Sequence, residues 1–166
     1  MSDYKAGLRN IDILNRDIHI AFVVAEFNQE YTSDIERQNR DFLEGEGFAN
    51  IDTFSVPWAF ELPGFAKRLI ETDEYDLIIA IGVVIRGDTP HFDYVCSEAS
   101  RGIMNLNITY DIPVIFWVLT CNTEDQVKSR IGSNFAIATL FRSPHGNWED
   151  LVFSHREGHT VSIYVL

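Results

Sequence analysis

Cysteine is scarce in this chain of 166 residues: there are two, Cys96 and Cys121, and they form no Cys-x-x-Cys pair. A disulfide-stapled fold and a thiolate zinc site are therefore poor readings, and two reduced thiols in core elements is the plain one. Positive charge is also short, with 13 Lys and Arg against 25 Asp and Glu and a formal net charge of −12. Nucleic acids and anionic membranes reward basic patches, so neither is expected as a partner, and an anionic ligand must find positive charge locally. No apolar run reaches the ~20 residues of a membrane span. The amino-terminal MSDYKAGLRNIDILNRD lacks an apolar signal core, so a cytoplasmic protein is expected. Internal repeats and low-complexity tracts are missing too. What remains, 46% hydrophobic and 23% charged, is ordinary for one soluble domain across residues 1–166.

Four apolar segments read as strands: 18–25, 51–56, 77–85 and 113–119. The third is rich in Ile and Val and carries no charge before Arg86, the pattern of a strand covered on both faces. Amphipathic segments alternate with these strands. Residues 33–46 turn Ile35, Phe42 and Leu43 inward, 60–71 turn Phe65, Leu69 and Ile70, and 92–107 turn Phe92, Val95, Ala99, Ile103 and Leu106. Ser33 is placed to cap the first helix, Pro63 suits the first turn of the second, and Thr123 with Gln126 makes a capping box for a fourth helix through Arg130. Right-handed crossovers between such units build a parallel sheet with helices on both faces.

The unusual chemistry collects at the carboxyl ends of the strands: AEFN at 25–28, VPWAFELP at 56–63, GDTPHF at 87–92 and WVLTCNT at 117–123. In open α/β sheets that edge binds ligands, and helix amino termini there offer N–H groups and partial positive charge to anions. His91 stands at this edge just after a tight polar turn, where an acid/base group would sit beside a phosphate. Histidine is the side chain that titrates near neutrality and so serves in both roles.

Together with GVVIRGDTPHFDYVCSEASRGI at 82–103 and IPVIFWVLT followed by EDQVKSRIG, these segments resemble the 6,7-dimethyl-8-ribityllumazine synthases, in order and spacing, over residues 18–132. The resemblance implies a three-layer α/β/α, flavodoxin-like fold with a four-stranded parallel sheet. It implies condensation of 5-amino-6-(D-ribitylamino)uracil with 3,4-dihydroxy-2-butanone 4-phosphate, without a cofactor or a metal, by imine formation, phosphate loss and ring closure.

By the same resemblance His91 is the catalytic histidine and Arg130 the phosphate-binding arginine, whose planar guanidinium suits a phosphate. Phe27 is the aromatic on which the pyrimidine stacks, with Phe116 a second aromatic. Ala59, Phe60 and Glu61 hold the ribityl chain. Val83, Val84 and Ile85 contact the pyrimidine through their backbone, and Asp88 and Thr89 lie at the phosphate loop. Asp88 would serve there by its N–H, since its carboxylate repels a phosphate. Bland readings stand beside these: a turn histidine, a last-turn cation answering the helix dipole, a core phenylalanine and a helix-start carboxylate.

The pocket of the resembled family is shared between adjacent subunits, Phe116 and Arg130 from one and Phe27, Glu61 and His91 from the other. Leu8, Ile11, Ile13 and Leu14 would add a strand to a neighbour's sheet. Three departures stand out. Trp58 and Trp117 replace glycines of the family pattern, where close backbone approach is expected. The chain beyond Arg130 also lacks the family's Gly/Lys/Asn-rich link and final helix, and no lysine follows Lys128. A pentamer or decamer is therefore expected rather than a sixty-subunit shell. In this tail 135–141 suits a short helix ending before Pro144, and 160–166 reads as a strand. His155 and His159, in HREGH, have helical spacing, but Gly158 argues against a helix and the glutamate of a zinc motif is missing; His145 reads as a surface residue. Two other readings stay open: a relative without turnover acting as an oligomeric scaffold or a flavin- or lumazine-type ligand binder, and an electron carrier of flavodoxin type.

Overall fold

The computed structural model describes residues 16–131, and the backbone of two further strands, Val152–Arg156 and His159–Ser162. Four strands, β1 (Ile20–Ala25), β2 (Ile51–Val56), β3 (Leu77–Ile85) and β4 (Val114–Cys121), form one parallel sheet in the order β2-β1-β3-β4. Its register runs Ile20 to Ile51, Ile20 to Leu77 and Ile78 to Val114. The helices are α1 (Gln29–Gly45), α2 (Leu62–Thr72), α3 (His91–Thr109) and α4 (Glu124–Ile131), with a 3₁₀ turn over Ala59–Glu61 ahead of α2. The three-layer expectation from the sequence holds.

Side chains alternate across the sheet and build two cores. Phe22, Ile79, Ile81 and Ile115 pack with Ile35 and Leu43 of α1 and Val127 of α4. On the other face Val23, Ile78 and Val118 pack with Leu62 and Leu69 of α2 and Val95 and Ile103 of α3. The two inner strands are buried almost throughout, which is why they read as continuous apolar runs.

The α2/α3 face is lined by small residues, Ala21, Ala80, Ala66 and Ala99 among them, and so its helices come close. Gly102 on α3 is the tightest point. A Cβ there would lie 2.7 Å from two carbons of the Pro63 ring, which cannot rotate away. Gly102→Ala is expected to destabilise the chain by about 1–3 kcal/mol of overpacking, offset in part by alanine's helix preference. A denaturant titration against wild type checks this, a lower midpoint being the expected result.

Tyr75, between α2 and β3, is buried at 5% exposure and donates its hydroxyl to Asp52 Oδ2 at 3.0 Å. Burial, then that bond and the charge of Asp52, push the phenol up to about 12. Because the folded value is raised, the stabilisation is complete below the unfolded value of about 10 and is lost as pH rises through 12. Thermal melts should therefore show stability falling over that window, and Tyr75→Phe should flatten this alkaline limb.

Two local expectations are corrected. Ser33 does not cap α1, because the helix begins four residues earlier, at Gln29. Asn28 is the residue before it, in the left-handed region at φ 60°, which asparagine tolerates better than most side chains. The capping box of α4 is displaced on one side. Gln126 N–H donates to Thr123 Oγ1 at 3.3 Å, but the Gln126 side chain accepts from the N–H of Asn122, not of Thr123.

In the tail, β5 (Val152–Arg156) and β6 (His159–Ser162) pair antiparallel, with Arg156 opposite His159. HREGH thus spans a strand end and the next strand's start, and its histidines do not share a helical face. The strand expected from Thr160 is present as far as Ser162. The short helix at 135–141, His145, residues 163–166 and the apolar residues at 8–14 lie outside the described residues.

Candidate active site

The strand order reverses between β1 and β3, since β2 lies beyond β1 on one side and β4 beyond β3 on the other. At the carboxyl end of such a switch point the connections diverge and leave a crevice. A cavity of about 290 Å³ opens there, lined by Phe27, Trp58, Ala59, Val83, Val84, Ile85, Gly87, Thr89, His91, Phe92 and Val95.

Each wall follows from local structure. After β1 the Glu26 and Phe27 N–H groups donate to the carbonyls of Val56 and Pro57, which ties the first strand end to the second. Asn28 then sends its side-chain amide to the Val83 carbonyl at 2.9 Å, bridging β1 to β3, while Thr32 Oγ1 closes on the Ala25 carbonyl. Phe27, 48% exposed, is left standing at the mouth. Ala59 reaches the sheet because Gly82 opposite it has no side chain. A Cβ on Gly82 would meet Ala59, Leu62 and Val118 at 3.3 Å each.

The third wall is the turn from β3 into α3. His91 is the first residue of α3, exposed, with Pro90 before it. Arg86 secures this turn. Its guanidinium makes a two-pronged bond to Asp93, at 3.1 and 2.7 Å, its Nε donates to Asn122 Oδ1 at 2.9 Å, and it lies 4.1 Å from the centre of the Phe92 ring. The hydrogen bond from Arg86 holds the Asp93 carboxyl below its usual range. The first-turn carboxylate is thereby matched by a cation, which keeps the start of α3 open to an anion.

Seven of the expected site residues line this one cavity: Phe27, Ala59, Val83, Val84, Ile85, Thr89 and His91. Phe60, Glu61 and Asp88 are not in its wall. The Glu61 carboxylate accepts the Trp58 N–H at 2.9 Å, so its described bond is that of a helix-start carboxylate. Phe116 stands on edge strand β4, 38% exposed. Arg130 lies elsewhere, on α4, donating to the Gln126 carbonyl at 2.9 Å. With Trp117 it lines a hollow of about 20 Å³ against Ile35, Gln38 and Asn39 of α1. One chain therefore presents the histidine and the arginine at two separate places.

Residues 17–140 match the model of the 6,7-dimethyl-8-ribityllumazine synthase family. The chain belongs to that family. A curated 6,7-dimethyl-8-ribityllumazine synthase from Parabacteroides distasonis is 46% identical over 121 residues, covering 72% of this chain and 76% of its own length. Another from Thermococcus onnurineus is 40% identical over 129 residues, covering 74% of this chain and 85% of its own. The match to the lumazine synthase family ends at 140, before the β5–β6 pair begins.

Three residues of this cavity region have roles that the sequence pattern does not reveal: Asn28, Arg86 and Trp58. Asn28 was visible inside AEFN. Arg86 and Asp93 lie on different elements, just past the end of β3 and in the first turn of α3, so no single helical or strand period relates them. Trp58, a departure from the family pattern, stacks its indole on Phe27, ring centres 4.2 Å apart and 16° from parallel. Cys121 is buried and Cys96 half-buried, and both are free thiols that burial pushes above their ordinary range. Neither is poised as a nucleophile.

Proposed function

We propose that this chain condenses 5-amino-6-(D-ribitylamino)uracil with 3,4-dihydroxy-2-butanone 4-phosphate to 6,7-dimethyl-8-ribityllumazine, releasing inorganic phosphate, as a transferase of riboflavin biosynthesis. The observation that carries this reading is His91 at the start of α3, in the wall of the switch-point cavity of a chain of this family.

The uracil amine adds to the butanone carbonyl and loses water as the imine forms. Elimination then expels phosphate, and the second nitrogen closes the ring with loss of another water. Each stage moves a proton, and His91 carries it in this reading. The phosphate lies by Thr89 and the first turn of α3, where backbone N–H groups and the helix dipole favour an anion. Val83, Val84 and Ile85 border the flat heterocycle, with Phe27 as its stacking partner. The ribityl chain runs along Ala59, Phe60 and Glu61, where a carboxylate accepts hydroxyl hydrogen bonds.

Arg130 completes the site from a neighbouring copy, with Phe116 beside it. The separation of His91 and Arg130 into two hollows of one chain supports this arrangement. So do the exposed Tyr94, Met104 and Ile108 on α3 and Phe116 on β4, apolar surface of the kind that a second copy covers. The assembly is a pentamer or a decamer in the cytoplasm, and residues 1–166 form one domain of each subunit.

Purified protein given both substrates tests the reading. Lumazine formation with release of one phosphate per turn is the expected result. Correctly folded protein without turnover would overturn it and leave the ligand-binding or scaffold role.

A further inference from the structure

The aromatic slot of the cavity is already filled by the chain itself. Trp58 lies between two residues that the condensation needs: its indole is stacked on Phe27 at 4.2 Å, and the His91 ring stands edge-on to it at 6.4 Å, 86° from parallel. All three line the same cavity. A flat ring stacked on Phe27 and within reach of His91 would need the space the indole occupies, because two rings cannot share one face. We infer that Trp58 is an internal competitor for the heterocycle, a side chain that leaves Phe27 when the ring binds and returns when it departs.

The backbone of Trp58 is held by hydrogen bonds, while its side chain is partly open to solvent. Its N–H donates to the Glu61 carboxylate at 2.9 Å and its carbonyl accepts the Glu61 N–H at 3.2 Å, in extended conformation at φ −136°. The side chain is 43% exposed, so it can swing outward about its own torsions without moving the 3₁₀ turn behind it. What the swing forfeits is one aromatic stack. Closing the slot lowers apparent affinity by the fraction of time that it stands open.

This inference rests on the proposed lumazine synthase reading, and calorimetry with 5-amino-6-(D-ribitylamino)uracil separates the two. Trp58→Ala is expected to bind that compound about two- to tenfold more tightly than wild type, the worth of one aromatic pair. Trp58→Phe, which restores a stacking ring, should return affinity toward wild type. Equal or weaker binding by Trp58→Ala, with circular dichroism unchanged, overturns the competitor role and leaves the catalytic reading standing. Absence of binding by wild type and variant alike overturns both.

Discussion

His91→Ala is expected to slow lumazine formation by about a hundredfold or more, the usual worth of a positioned general acid or base. The side chain is exposed at the first position of α3 and belongs to neither hydrophobic core. Its removal should therefore leave the melting temperature close to wild type. KM for either substrate should move only a few-fold, because proton transfer is needed in the transition states more than in binding. Steady-state kinetics across pH check this. A His91→Ala enzyme with nearly wild-type turnover would leave the histidine as a helix-start residue.

Arg130→Ala is expected to raise KM for the phosphorylated butanone by about ten- to a hundredfold, the range for losing charge-assisted hydrogen bonds to an anion. Arginine in the last turn of α4 also answers the helix dipole, so Arg130→Lys is the needed companion. Lysine keeps that charge and loses the planar fork, and substantial loss should persist. The more telling experiment mixes the two variants. If His91 and Arg130 come to each site from different copies, co-assembling equal amounts of His91→Ala and Arg130→Ala subunits should, at a butanone concentration near the wild-type KM where both parents are slow, recover about a quarter of wild-type activity, since random pairing leaves that share of interfaces with both groups intact. Recovery can come only from a shared site. Mixed oligomers as inactive as their parents would place the two residues in unconnected roles.

Much of the fold was legible because burial on both faces of a strand needs continuous apolar residues, and crossover helices need a stripe. The observed β2 and β3 have the expected bounds, and the residues named as inward on α2 and α3 face the core or its margin, except Phe92, which lines the cavity under Arg86. Helix starts were harder. Ser33 looks like a cap in isolation, but Thr32 and Tyr31 are drawn into buried positions of α1 and Asn28 accepts the left-handed turn, so the helix begins earlier. Gln126 pairs with Asn122 because Asn122 is also held by Arg86 from the next strand end, a contact 36 residues away in the chain.

By itself the sequence determined the strand and helix alternation, the placement of His91 at a sheet edge and the family to which the chain belongs. All of these depend on local pattern and on motifs contiguous in the chain. Tertiary structure alone decided that Phe27, Ala59, Thr89 and His91 enclose one cavity while Arg130 faces another. It also decided that Trp58 fills the slot between Phe27 and His91. The reason is physical. Contacts between residues tens of positions apart depend on which strand lies beside which and on how far a side chain reaches from its backbone, and neither quantity is written in a local spacing.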